Sequence, residues 1–528
     1  MDIKNGKENL RDGIIGGALS LTVATVIVKL LGVLYKIPLA GVLGDEGMGY
    51  FNTAYTVYSF FYLLCTAGVP KSVMILISEK LEKEEKGAVN KIVKISVFSF
   101  LIIGGVISFG FVVFAVPLSR LIGSSEAYVT MICVAPSILF SSVAGVLRGY
   151  LSAKMRLFAI AASQVVEGAI KLALGLILAL FALRMGLTLP MISAFTILGT
   201  TIGSFVSMAY LALVSKNENK DDNTGQSIDK IGTSRVLSNI FKISLPITFS
   251  AALMSLSGMA DLFLVMRRLS DAGYTAREAT ALYGNYTTLA VSMFNLALAL
   301  ITPISVAFMP ALAKAAAGGR WREFTDGIES ALSITSFVTA PVVLGLSVFS
   351  QEILALLFGE SAAAHGAPLL VLLCPGIVFM SYILIINSSL EALSRPSLAM
   401  LSLTVGITVK TIISGILIGN GDFGISGAPI GTVFFYAVSA FLSLLMLSHL
   451  LGYNIPIIRT SFLSYLVASI SVLSSRMVYD SVFLSVGKVG SLILSILICA
   501  LIYIALSAFA GALTRENLSK IAKFTKLC

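Results

Sequence analysis

Residues 22–70 read TVATVIVKLLGVLYKIPLAGVLGDEGMGYFNTAYTVYSFFYLLCTAGVP, two long apolar runs either side of the turn Gly44-Asp45-Glu46-Gly47. At 100° per residue, Thr22, Thr25, Lys29, Gly32 and Lys36 fall within an arc of about 80°, so two lysines share one face of the first run. On the second run Asn52, Tyr55, Ser59, Tyr62 and Thr66 recur at spacings of three and four, a polar and aromatic stripe on a greasy helix. The stripe returns 233 residues later as Asn285, Thr288, Ser292, Asn295 and Ala299, and the same offset carries Tyr50 onto Tyr283, Phe61 onto Phe294 and Pro70 onto Pro303. The chain is therefore read as an internal duplication of membrane helices.

Composition agrees. Hydrophobic residues make up 57% of the 528 and charged residues 12%, about half the charge of a soluble domain. Apolar runs of about 20 residues or more, enough to cross a bilayer, recur from end to end, and about fourteen can be traced. They are continuously apolar instead of alternating, which selects helices over a barrel. The expected fold is an all-α polytopic membrane protein: two parallel six-helix bundles (1–215 and 237–451), a polar cytoplasmic linker (216–236), and two extra helices with a basic tail (452–528). Parallel repeats of this kind place a site at the interface between halves. A weaker echo pairs Leu151-Ser152 and Lys171 with Leu393-Ser394 and Lys410, although the second copy then needs a gap of three residues.

Charge sets orientation. Lysines and arginines outside the spans divide 25 to 7 between alternate loops, which puts both termini in the cytoplasm. The net charge of +10 thus reports topology and not nucleic acid, and the tail residues Arg515, Lys520, Lys523 and Lys526 can lie on anionic lipid. Five cysteines, four of them inside apolar runs, read as packing residues. There is no phosphate loop of the form GxxxxGK[ST], no HExxH and no GxSxG, so the chain is expected to be neither an ATP-driven engine nor an enzyme. No metal or cofactor is expected, a coupling cation being the one small ion left open.

Ionisable residues at membrane depth cost at least about 2.5–3.5 kcal/mol each on insertion scales and so mark candidate sites. Lys29 and Lys36 come first, because no acid lies at i±3 or i±4 on their own helix, and Pro38 is expected to kink the helix after them. Glu167 and Lys171, one turn apart, read either as a structural ion pair or as part of a site. Asp261 and Arg268 share a polar line with Ser257 on the seventh span. Lys410 joins this set, as do Asn52, Tyr55, Ser59, Tyr62, Asn285 and Asn295, which serve equally well as interhelical hydrogen-bonding residues. Arg148, Lys154, Arg156 and Arg395 read as anchors at cytoplasmic helix ends.

Lys-Leu-Leu-Gly-Val-Leu-Tyr-Lys-Ile-Pro-Leu (29–39), Gly-Asp-Glu-Gly-Met-Gly-Tyr (44–50), Thr-Ala-Gly-Val-Pro (66–70) and Leu-Arg-Gly-Tyr (147–150) together resemble the polysaccharide-transport branch of the multidrug/oligosaccharidyl-lipid/polysaccharide exporter superfamily. Within it they are similar to the stage V sporulation protein B-like proteins related to lipid II flippases. The resemblance implies export of undecaprenyl-diphosphate-linked saccharides across the bacterial plasma membrane, with the last two helices helping to form a groove for the polyprenyl tail. It also implies that Lys36, the basic residue before Ile-Pro, sits at the lipid phosphate, and that other cell-wall synthesis proteins are partners. Lipid II flippases carry arginine in the eighth helix, whereas residues 280–313 contain none, so the resemblance extends to the class and not to lipid II itself. Two other readings stand beside it: a cation-coupled drug exporter of the same superfamily, for which Asp261 speaks, and a non-transporting scaffold of a cell-wall or sporulation complex.

Overall fold

The computed structural model describes residues 2–83, 85–220, 232–420 and 422–509. Among these there are sixteen α-helices and no strand. They are α1 (Asp2–Thr66), α2 (Val69–Glu82), α3 (Lys86–Ile122), α4 (Tyr128–Val134), α5 (Pro136–Ala153), α6 (Leu157–Arg184), α7 (Leu189–Lys220) and α8 (Thr233–Asp271). There follow α9 (Ala276–Asn285), α10 (Val291–Ala317), α11 (Trp321–Val348), α12 (Ser350–Phe358), α13 (Glu360–Ala392), α14 (Pro396–Ile418), α15 (Gly427–Leu451) and α16 (Ile457–Phe509). Thirteen stretches among the described residues are long and apolar enough to cross a membrane, and the first, Val23–Glu82, is itself broken at Gly44. Counting both limbs of that stretch gives fourteen spans.

The breaks are written in the backbone. Gly44 adopts φ 62° and ψ −172°, a conformation essentially reserved for glycine, and it separates the two limbs of α1. Gly487 (φ 78°, ψ 171°) does the same in α16. The helix assignment runs through Pro38, and the residue with non-helical backbone inside α1 is Gly44. The second span is interrupted at residues 67–68, where Pro70 begins α2 in the first helical turn, a position in which its missing N–H costs nothing. Between α9 and α10 lies a π-helical turn, Tyr286–Ala290. In the second copy of the stripe Asn285, Thr288, Ser292 and Ala299 are buried and Asn295 is exposed.

Packing divides the chain into two compact units, residues 1–270 with 274–284, and residues 285–528 with 271–273. Of the expected 216–236 linker, residues 221–231 lie outside the described residues, as does the basic tail. The N-terminal part of α8 touches the core of the first unit. Val236 and Ile240 pack with Val73, Ile92, Val146, Tyr150 and Leu211, and the Gly68 N–H donates to Thr248 Oγ1 at 3.2 Å. In the second unit Leu312, Phe324, Leu332, Ile386 and Leu447 form the core. The extra helix α16 docks on α11 through Ala340, Val467, Ala468 and Tyr503, whose hydroxyl donates to the Phe337 carbonyl at 2.8 Å. Phe98, Phe109 and Phe114 stand exposed along α3, as a lipid-facing surface requires.

The duplication is also visible in helix ends. At the end of α5 the amides of Lys154, Met155 and Arg156 bond to the carbonyls of Tyr150, Ser152 and Leu151; at the end of α13 those of Leu393, Ser394 and Arg395 bond to Ser389, Glu391 and Leu390. Met155 and Ser394 share φ 58°, the left-handed conformation that non-glycine residues seldom adopt. These caps are 239 residues apart, the same distance as Lys171 and Lys410. The gap of three residues required by the Leu-Ser alignment therefore disappears once the caps, and not the dipeptides, are superposed.

Candidate functional site

In the first unit three elements bring cations and aromatic rings together. The first limb of α1 supplies Tyr35 and Lys36, its second limb a run of rings, and α6 supplies Lys171. The Lys171 ammonium lies 4.4 Å from the Tyr55 ring centre and 5.9 Å from that of Tyr35, a cation–π arrangement. Tyr35 is buried, its hydroxyl donating to the Thr196 carbonyl at 3.4 Å. Lys36 is half-buried and within electrostatic reach of Lys171. Two like charges in a partly buried site repel, and an anion between them would relieve that repulsion.

The rings of Phe51, Tyr55, Tyr58 and Tyr62 succeed one another at spacings of four, three and four. Phe51 stacks on Tyr55 at 6.1 Å, and the next centroid distances are 5.7 and 5.6 Å. At the far end of this ladder stands Arg148 of α5, beside Tyr62. Its Nη2 donates to Glu167 Oε2 at 2.8 Å and to Ser207 Oγ at 3.1 Å, while Ser204 Oγ donates to the other carboxylate oxygen at 3.1 Å. Glu167 thus pairs with Arg148 and not with Lys171, because the lysine is drawn onto tyrosine faces while the guanidinium from the neighbouring helix meets the carboxylate. Arg148 is correspondingly an interior ion-pair partner instead of an anchor, its side chain only 14% exposed.

The remaining sequence candidates fall in several places. Lys29 is exposed, and Asn52 is buried. Ser59 Oγ donates to the Tyr55 carbonyl of its own helix at 2.7 Å, a local use of the hydroxyl. Asp261 is buried within electrostatic range of Tyr283, whose hydroxyl shares a 3.0 Å hydrogen bond with Thr56. Arg268 is exposed. In the second unit Asn285 and Lys410 are buried, and the Lys410 ammonium lies 5.6 Å from the Phe435 ring centre, so both members of the duplicated lysine pair sit over aromatic rings. Sequence reading missed Tyr35, Phe51, Tyr58 and Arg148. The i, i+4, i+7, i+11 spacing of the rings was the available signal.

At the Lys/Arg-poor end of the first unit, α1 and α9 meet backbone to backbone. A Cβ on Gly49 would lie 2.1 Å from the Thr280 carbonyl oxygen, and one on Gly284 would lie 2.4 Å from that of Asp45. Beside this contact Tyr50 donates to Glu46 at 2.7 Å, and the exposed Arg277 approaches Glu46 at 3.7 Å and Glu126 at 3.9 Å. In the second unit α10, α11 and α16 line an open apolar cavity of about 510 Å³, with residues such as Leu296, Leu300, Phe337, Val342, Ile496 and Ile504.

The sequence pattern of a family described as polysaccharide biosynthesis protein matches residues 14–316. Stage V sporulation protein B of Bacillus subtilis is 24% identical over 423 residues, covering 79% of this chain and 80% of that protein. Lipid II flippase MurJ of the same organism is 22% identical over 464 residues, 84% of each chain. Among solved structures, lipid II flippase MurJ in an inward closed conformation superposes with a TM-score of 0.70 at 16% identity, over 94% of this chain and 99% of that one. An inward-facing multidrug resistance MATE family transporter of the MOP superfamily superposes with a TM-score of 0.63 at 15% identity, over 83% and 99%. The fold is that of these polytopic transporters.

Proposed function

Because the chain belongs to the polysaccharide biosynthesis protein family, we propose that it is a flippase that moves an undecaprenyl-diphosphate-linked saccharide outward across the bacterial plasma membrane. The observation that carries this reading is the Lys36–Lys171 pair. Two ammonium groups within electrostatic reach of each other in a membrane protein, with Glu167 taken up by Arg148, favour an anion with two charges to share, and a diphosphate is such an anion. The half-buried Tyr55 and Tyr62 offer aromatic surface to a saccharide, and the cavity of α10, α11 and α16 offers a polyprenyl tail an apolar wall. With both termini in a cytoplasm at negative potential, outward movement of one uncompensated negative charge gains about 2.3 kcal/mol per 100 mV, so no nucleotide is required. The names of the relatives, a sporulation protein and a lipid II flippase, are consistent with a cargo among cell-envelope precursors.

A cation-coupled exporter is the second reading, favoured by the buried Asp261 next to Tyr283. The two differ in cargo charge, and the lipid that co-purifies separates them. Wild-type protein extracted in mild detergent is expected to carry a polyprenyl diphosphate saccharide, and the Lys36→Ala/Lys171→Ala double variant about tenfold less, the equivalent of ~1.4 kcal/mol. Equal amounts on both proteins, or none on either, would remove the lysines from cargo binding.

A further inference from the structure

A second cavity of about 530 Å³ opens beside the Gly487 break of α16, at the Lys/Arg-poor end of the second unit. It adjoins the apolar cavity. Leu492 lines the one and Ile496, a single helical turn on, the other; on α12 the neighbours Glu352 and Ile353 divide in the same way. The combined shape is a polar chamber at a helix end continued by an apolar slot, which is the shape of a lipid.

We propose that the polar chamber binds the headgroup of a zwitterionic phospholipid bearing a primary ammonium, with an acyl chain in the adjoining slot whenever no cargo tail fills it. Both signs of charge are present. Glu352, Glu360 and Asp480 line the chamber together with Lys488, and Arg476 stands behind them. Three carboxylates disfavour a diphosphate or any purely anionic headgroup. A single lysine among them suits one phosphate.

The ion pairs differ in how readily they can be rearranged. Arg476 is held firmly: it pairs with Glu352, reaches Asp480 at 3.3 Å, and lies over the rings of Phe349 and Tyr479 at 5.6 and 5.1 Å. It forms a floor. Lys488 and Glu360 form a pair whose side chains are 65% and 61% exposed, and such pairs contribute little in water, so a ligand can separate them at small cost. The separated lysine meets the phosphate, and Glu360 and Asp480 meet the ammonium. A primary ammonium has three N–H donors for these oxygens, whereas a choline headgroup has none.

The inference does not depend on the identity of the cargo, and its test uses no cargo. Full-length protein in detergent is mixed with phosphatidylethanolamine, phosphatidylcholine and phosphatidylglycerol of matched chains, and retained lipid is counted by native mass spectrometry. Wild type is expected to retain phosphatidylethanolamine about tenfold over either competitor. Glu360→Gln/Asp480→Asn is expected to lower it to the phosphatidylcholine level, and Lys488→Ala to weaken all three. Glu79→Gln, in the exposed 79–83 pair of α2, keeps the selectivity. Equal retention of the three lipids by wild type, or a preference for phosphatidylglycerol, overturns the proposal even if no variant can be purified; so does unchanged selectivity in a monodisperse double variant.

Discussion

Arg148→Ala is expected to be the most destabilising single substitution of a charged residue in the first unit, by about 3 kcal/mol, the lower end of the range for removing one partner of a buried ion pair. The guanidinium joins α5 to the Glu167 carboxylate on α6 and to Ser207 on α7, and its loss leaves a carboxylate only 24% exposed with Ser204 as its remaining donor. In detergent the midpoint of thermal aggregation should fall by several degrees. The double variant Arg148→Met/Glu167→Gln, which removes both charges and keeps the volume, should recover most of the loss, since the penalty lies in the uncompensated charge and not in the absent bond. A single variant as heat-stable as wild type would show that the pair does not hold these helices together.

Gly49→Val carries the second large effect, through geometry instead of charge. With the Thr280 oxygen 2.1 Å and the Thr280 methyl 2.5 Å from the Cβ position, no side chain fits while α9 stays on α1. Neither neighbour is the free end of a flexible chain, so the helices must separate, and the Thr56–Tyr283 hydrogen bond goes with them. Overpacking of this kind costs about 1–3 kcal/mol. In a background with the native cysteines replaced by serine, a cysteine at Thr280, a position 1% exposed, should be nearly inert to a membrane-impermeant thiol reagent. Adding Gly49→Val should raise its labelling rate about tenfold, which corresponds to ~1.4 kcal/mol of lost closure. Unchanged labelling would mean that the contact adapts without opening.

Particular residues show how far the sequence could be read. The two limbs of α1 and the glycine between them were legible, because an apolar run needs no tertiary information to declare itself and Gly44 sits where only glycine tolerates the backbone. The π-helical turn at 286–290 was not, since a one-residue change of pitch leaves no mark in an apolar run. The pairing of Glu167 is the clearer lesson. Helical spacing proposed Lys171, its neighbour one turn away, but long-range partners lie on other helices, and Arg148 is nineteen residues off at the far side of a helix end. Lys171 stands out in the sequence as a charge at membrane depth, yet its environment of Tyr35 and Tyr55 comes from residues more than a hundred positions away. Charge at membrane depth can be found in a sequence; what faces it cannot.

Lys36 and Lys171 are proposed to carry a diphosphate across the membrane. The direct measurement is translocation of a fluorescent polyprenyl diphosphate saccharide in vesicles containing the purified protein, with an impermeant quencher reporting arrival and a potassium gradient setting the potential. Wild type should transport faster when the destination is positive, and Lys36→Ala/Lys171→Ala should lose about tenfold or more of the rate at unchanged reconstitution. Transport by the double variant at the wild-type rate, or a rate indifferent to cargo charge, would contradict that role.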